Sequence, residues 1–244
     1  MWGSQEGQMS IDPGALAQSI EYLQGAKLDH DGLAQTLQRI VDETEQVFQV
    51  DGAGLMLLAD DDQLRYVAAS DERGRILEKI HEQVGEGPCL SAFAAAEARA
   101  TADAPADQHW PAFGRLAAEH GIRAVLGVPI DLVGGPIGTL NVYAVQPHDW
   151  DKNEEEAVLA YARVAGTMLA TVVEAEAKDT LATQLQQALD QRVIIEQAKG
   201  VLMERHGIDA QVAFERLRRR ARSRQERVVD LARKVVDGEP LPPS

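Results

Sequence analysis

Along the chain the spacing of apolar residues changes several times, and each change predicts an element. From Leu33 they recur at helical intervals (Leu33, Leu37, Ile40, Val41, Val47), which predicts a helix. Gly52–Leu58 is short and apolar, and Leu64–Ala69 follows the acidic triplet Asp60, Asp61, Asp62, so this pair predicts a hairpin. Ile76–Gln83 and Leu90–Ala96 read as helices, separated by the breakers Gly85, Gly87 and Pro88. Residues 101–111 read as loop and Pro111–His120 as a helix that Gly121 ends. Alternation returns in Ala124–Leu132 and Ile137–Ala144, joined through Gly134, Gly135 and Pro136 as a second hairpin. Asp151 opens a helical tract expected to run unbroken past Ala188.

Strand pairs joined by turns, with helices around them, predict an α+β fold in which an antiparallel sheet is flanked by helices. After about Glu174 the pattern is helical throughout. Leu181, Ala188, Ile195 and Leu202 repeat every seven residues, with Leu185 and Leu189 near the same face, and Arg192 and Lys199 interrupt that seam with cations. Gly207 is expected to end this helix and Ile208-Asp209 to start another, with Ala213, Phe214, Leu217 and Ala221 facing inward. Glu226–Val236 makes a third helix. The expected organisation is an N-terminal arm (1–29), flexible or helical, then a sensor-like α+β unit (30–175), then a linker helix leading into a small three-helix bundle (176–240).

Charge sharpens that division. The 244 residues carry 24 Lys+Arg against 39 Asp+Glu, a net −15 that by itself argues against a nucleic-acid partner. Residues 190–234, however, hold twelve basic and seven acidic residues, a net +5, which leaves 12 basic and 32 acidic residues, a net −20, for the rest. Arg216, Arg218, Arg219, Arg220, Arg222, Arg224 and Arg227 fall within twelve residues, several of them four apart, and Glu215 and Glu226 cannot neutralise them all. Like charges at helical spacing cost stability, so a polyanion is a natural partner, since guanidinium groups bind phosphates bidentately and stack on unpaired bases. An acidic domain of the same chain is the rival partner.

The remaining candidates are sparser. The single cysteine excludes an internal disulfide and a Cys-rich zinc site. Cys89, in Gly-Glu-Gly-Pro-Cys, reads either as a thiol activated at a helix N-terminus or as a small buried apolar residue. Trp110 and Phe113 either line a sensor pocket or plug the edge of the core. His81, His120 and His148 have no sequence neighbours that would complete a ligand set, and the Asp60–Asp62 triplet reads as a solvated turn, so no metal site is expected. No nucleophile elbow, phosphate loop or zinc spacing is present, which predicts no catalytic residues. No stretch reaches the roughly 18 consecutive apolar residues of a membrane span, and the N-terminus lacks a signal-peptide pattern, so a cytoplasmic location is expected.

One run carries a family pattern: Ala188-Leu-Asp-Gln-Arg192-Val-Ile-Ile195-Glu-Gln-Ala198-Lys199-Gly200-Val-Leu202-Met203 resembles the ANTAR domain, an RNA-binding antitermination module. Ala213-Phe214, Leu217-Arg218 and Ala221 match its second helix and Val229-Asp230-Leu231-Ala232 its third. The preceding residues resemble a GAF domain through Glu86-Gly87-Pro88-Cys89, Trp110-Pro111-x-Phe113, Gly121–Leu126 and Gly138–Tyr143. The resemblance implies a sensor coupled to a module that binds paired hairpin loops in nascent RNA, as a homodimer, and blocks terminator formation. It places Lys199 and Arg218 at motif positions for RNA contact. Charge adds Arg192, Arg219, Arg222 and Arg224. Lys199 and Arg218 are expected to be exposed. GAF domains bind varied small molecules or none, so the cofactor stays unknown and any sensor ligand unspecified. The other reading, from a different class, is a small-molecule or redox sensor that acts through protein contacts and never touches RNA.

Overall fold

The structure, a computed structural model, describes residues 14, 17–19, 32–59, 63–132, 135–175, 180–224 and 226–241. In chain order the elements are α1 (Leu33–Phe48), β1 (Gly52–Leu58), β2 (Leu64–Ala69), α2 (Glu72–Val84), α3 (Pro88–Ala95), β3 (Arg99–Thr101), a 3-10 turn (Ala104–Ala106), α4 (Pro111–Glu119), β4 (Ala124–Leu132), β5 (Gly135–Ala144), α5 (Lys152–Ala175), α6 (Thr180–His206), α7 (Ala210–Arg224) and α8 (Val228–Val236). The class is α+β, as expected. The two hairpins predicted from the alternation form, and β1 pairs antiparallel with β5 to join them into one sheet of order β2-β1-β5-β4-β3. Strand β3 falls at the end of a segment with no periodicity, and three residues are too few to show one. It forms because β4 offers it a free edge.

The sheet is covered on both faces. Successive side chains of a strand point to opposite sides, and Leu55, Leu57, Leu126, Val128, Leu140 and Val142 face a core built with α1 and α5. The opposite parity, with Met56, Val125, Asn141 and Tyr143, faces α2, α3, α4 and part of the C-terminal bundle. That double burial explains why β1 reads as an unbroken apolar run. Asp71 organises the second face: its carboxylate accepts from Gly74 N at 2.7 Å to cap α2 and from the Tyr143 hydroxyl at 2.8 Å. Helix α5 is long and apolar enough to cross a membrane, with a mean hydropathy of 1.3 over Lys152–Val173. Its apolar face is instead spent on the sheet, through Val158, Tyr161, Ala162, Ala165, Leu169 and Val172.

Two expectations about the C-terminal half need correction. The helical tract is not one straight rod, because α5 packs on one face of the sheet whereas α6 brings Ile195, Ala198 and Leu202 into a cluster with Met56 and Leu58 of the other. Residues 176–179, between α5 and α6, lie outside the described residues. The heptad seam is also divided. Ile195 and Leu202 are 1% and 0% exposed inside the bundle core, so they are not free to pair two chains. Leu181, Leu185, Ala188 and Leu189 lie outside the described side chains, as do the N-terminal arm, apart from residues 14 and 17–19, and the Asp60–Asp62 turn. Gly207, with φ 62°, ends α6 as expected, and Asp209 starts α7 by accepting from Val212 N at 2.8 Å.

Candidate functional site

The three C-terminal helices close on a small core of Ile195, Leu202, Ala213, Phe214, Leu217, Val229, Leu231 and Val235, and that core continues into the sheet domain through Met56, Leu64 and Phe93. Phe93 from α3 and Phe214 from α7 meet edge to face, with centroids 6.3 Å apart. The predicted RNA contacts sort around this joint. The Arg192 guanidinium lies over Phe93 at 4.4 Å and over Phe214 at 5.4 Å, and it pairs with Glu196 at 2.5 Å. Lys199 stands 5.9 Å above the Phe214 ring and binds the same carboxylate at 2.8 Å.

Burial overturns one expectation here. Lys199 is only 2% exposed and Arg192 1%. Burial holds the Lys199 ammonium below the usual lysine value, against the pull of Glu196, and neighbouring Arg192 pushes the same way. Arg218 is half-buried rather than exposed, and donates to Gln63 Oε1 of the sheet domain at 3.2 Å. Its desolvation lowers its pKa, as does Arg222 beside it. Arg219, Arg222 and Arg224 are exposed. Arg224 reaches Glu226 at 3.6 Å, and Arg219 and Arg222 have no ion pair among the described residues. The basic face is thus divided into a covered pair on α6 and an open row on α7.

Between the bundle and the sheet domain lies a cavity of about 340 Å³ whose walls include His81, Glu86, Ser91, Trp110, Phe214 and Arg218. Trp110 stands at this rim and donates its indole N–H to Ser91 Oγ at 3.0 Å. Glu86 Oε1 accepts from the backbone N–H groups of Ala112 and Phe113 at 2.7 and 3.1 Å, which fixes the start of α4. Phe113 turns inward, stacked on the His81 imidazole at 4.5 Å. Cys89, in the first turn of α3, is fully buried, so of the three predicted pocket residues the structure gives only Trp110 to the cavity wall. Burial, and after it the Glu78 carboxylate, push the Cys89 thiol well above its ordinary value. We expect Cys89 of the folded protein to resist a thiol reagent at neutral pH and to react once denaturant opens the fold; rapid reaction of the native protein would contradict its burial.

Sequence reasoning missed three of these residues. Phe214 is legible in the sequence only as an inward-facing core residue, and Phe93 carries no signal beyond its place in the helix read over Leu90–Ala96. Glu78 sits three residues before His81 on α2, in an otherwise apolar stripe with Leu77 and Ile80, and that placement was the available signal.

The family model of the GAF domain matches residues 30–170 and that of the ANTAR domain residues 183–236. The chain belongs to the GAF domain family and carries an ANTAR domain. No curated protein sequence matches it. Among solved structures, the GAF–ANTAR chain is similar to free methionine-R-sulfoxide reductase from Neisseria meningitidis, with 15% identity and a TM-score of 0.53 over 69% of this chain and 97% of that one. It is also similar to the GAF domain of an Acinetobacter phosphoenolpyruvate-protein phosphotransferase, with 16% identity and a TM-score of 0.51 over 69% and 98%. The chromophore-binding domain of a bacteriophytochrome from R. palustris aligns with 13% identity and a TM-score of 0.51 over 67% and 62%. At these identities the likeness is one of fold. GAF domains are sensor modules and ANTAR domains RNA-binding antitermination modules, so the chain is a regulatory protein of that general kind.

Proposed function

We propose that this GAF–ANTAR protein binds paired RNA hairpins in nascent transcripts and thereby prevents a terminator from forming, with the GAF domain as its sensor. On this reading it acts without catalysis, in the cytoplasm, as a homodimer that presents two bundles to two hairpin loops. The observation that carries the reading is the coincidence of the ANTAR match with the clustered cations of α6 and α7. Arg219, Arg222 and Arg224 offer an open cationic row, and Lys199, Arg192 and Arg218 extend it once the bundle parts from the GAF domain. The structure then corresponds to a closed form, and a signal at the GAF domain shifts the population towards an open one.

The second reading has an observation of its own. Arg192 packed against Phe93 and Phe214 is a contact between the bundle and the GAF domain, and a bundle built only for docking would look the same there. A mobility-shift titration of the full chain against a two-hairpin RNA, beside a single-hairpin control, separates the two at two salt concentrations. Antitermination predicts a preference for two hairpins and an affinity that falls steeply with salt, because bound phosphates release counterions. Lys199→Ala and Arg218→Ala are each expected to weaken binding by about 1–3 kcal/mol, and the double variant Arg219→Ala/Arg222→Ala to lower the salt slope by about two. Affinity unchanged in all three variants would leave the docking-only reading in place. Because buried Lys199 packs over Phe214 and pairs with the half-buried Glu196, Lys199→Ala is further expected to lower the melting temperature.

A further inference from the structure

Inside the GAF domain, between α2, α3 and β5, three polar side chains that no ligand-set pattern connects come together. Glu78, His81 and Cys89 are each 0% exposed, and the ligand atoms they offer (carboxylate oxygen, ring nitrogen and Sγ) all lie within 4.8 Å of one another. We propose that these three residues form a buried site for one divalent transition-metal ion of the zinc type.

Three independent features support it. The first is unmet bonding capacity: Glu78 Oε2 and His81 Nε2 are buried without any hydrogen-bond partner, and groups in that state cost free energy unless something satisfies them. His81 Nδ1 lies 3.0 Å from the Leu77 carbonyl, so it carries the ring proton and leaves the Nε2 lone pair free. The second is charge. Glu78 has no Lys or Arg ion-pair partner among the described residues, and His81 Nδ1, 3.6 Å from its Oε2, is turned to the Leu77 carbonyl. A divalent ion displaces the thiol proton to solvent (Cys–SH + M²⁺ gives Cys–S–M⁺ + H⁺), and one thiolate plus one carboxylate then bring the site to zero net charge. The third is support from a neighbouring side chain: Asn141 Nδ2 donates to Glu78 Oε1 at 2.8 Å and so orients the carboxylate, leaving Oε2 to bind.

Close approach of backbone makes the room. A Cβ on Gly54 would meet Glu78 Oε1 at 2.1 Å, one on Gly87 would meet His81 Nε2 at 2.7 Å, and one on Gly127 would meet the Cys89 Cα at 2.8 Å. Each of the three residues therefore rests against a glycine. Thiolate, imidazole and carboxylate are the donors zinc takes at about 2.0–2.3 Å, so the tetrahedral edges run to about 3.5 Å and the cluster needs to draw in by about an ångström. Three protein ligands leave a fourth position for water. His81 also borders the cavity at the bundle interface, so the site lies directly behind the docking surface. Its existence is independent of whether the bundle binds RNA.

The test is made on the full chain, produced in cells grown with Co²⁺ in place of Zn²⁺ so that a closed interior is no barrier to loading. One cobalt per chain is expected, with a thiolate-to-cobalt charge-transfer band in the near ultraviolet and the strong visible absorption of a four-coordinate centre. Cys89→Ser should abolish the charge-transfer band, and Glu78→Gln should weaken metal retention against a chelator at least tenfold. Protein produced with Zn²⁺ should melt higher than chelator-treated protein, with no such shift for Mg²⁺, and this readout does not depend on any variant folding. A wild-type chain that holds no stoichiometric cobalt or zinc overturns the proposal. So does cobalt bound without the charge-transfer band, or a band that survives in folded Cys89→Ser.

Discussion

Phe93→Ala is expected to tighten binding of a two-hairpin RNA by the full chain at least tenfold. Phe93 reaches from the GAF domain into the bundle core, where its ring carries Arg192 on one side and meets Phe214 edge to face. Removing a buried phenyl group costs about 3–5 kcal/mol, and here much of that loss falls on the docked arrangement, because Phe93 packs in the cluster shared with the bundle. Each 1.4 kcal/mol taken from the closed form shifts the population tenfold towards the open one, until the open form predominates. Binding isotherms of wild type and variant at one salt concentration measure the change, and a melting curve confirms that the domain stays folded. Equal or weaker RNA binding by a folded Phe93→Ala would show that the contact does not restrain the basic face.

A large loss of stability, confined to the GAF domain, is expected from Gly114→Ala. Gly114 lies in α4, and a Cβ there would stand 2.0 Å from the Ala104 carbonyl oxygen and 2.8 Å from its carbon. Both are backbone atoms of the 3-10 turn, so no side chain can swing away and the helix itself must move. Overpacking of this kind costs about 3 kcal/mol, which for a chain of this size lowers the melting temperature by about 6–12 °C. A calorimetric scan reads it directly. A variant that melts with the wild type would mean that α4 and the turn approach each other less closely than the structure shows. Because α4 carries Phe113 and follows Trp110, the same variant should also loosen the cavity wall.

Much of this architecture is legible in the residues, for identifiable reasons. Hairpin strands announce themselves through alternation and turn residues, which is why Ala124–Leu132 needed no further information. Glycine at 121 and 207 marks helix ends because the backbone there turns left-handed, with φ of 73° and 62°. The cation cluster was visible as composition. Its division into covered and open halves was not, because Arg192 lies over Phe93 of a distant helix, Lys199 over Phe214, and one carboxylate at 196 serves both cations. A lysine in a helix is exposed by default, and only tertiary contact reverses that default. The polar alternation of Thr139, Asn141 and Tyr143 is equally ambiguous: in an antiparallel sheet it reads as a face turned to water. Here that face is buried and holds the Glu78 and His81 cluster. Neither residue has a sequence neighbour that would complete a ligand set, because the third donor arrives from the next helix.

The guanidinium held in the angle between two phenyl rings sets a clock as well as an equilibrium. A terminator hairpin is decided once, while the polymerase is still passing, and a regulator that opens after that moment is too late whatever its affinity. Parting two packed domains takes microseconds to seconds, and the barrier includes lifting Arg192 and Phe214 off Phe93. On the proposed reading, selection acts on how fast that latch releases. Substitutions at positions 93, 192 and 214 would then alter the fraction of transcripts rescued even where the final level of RNA binding is unchanged.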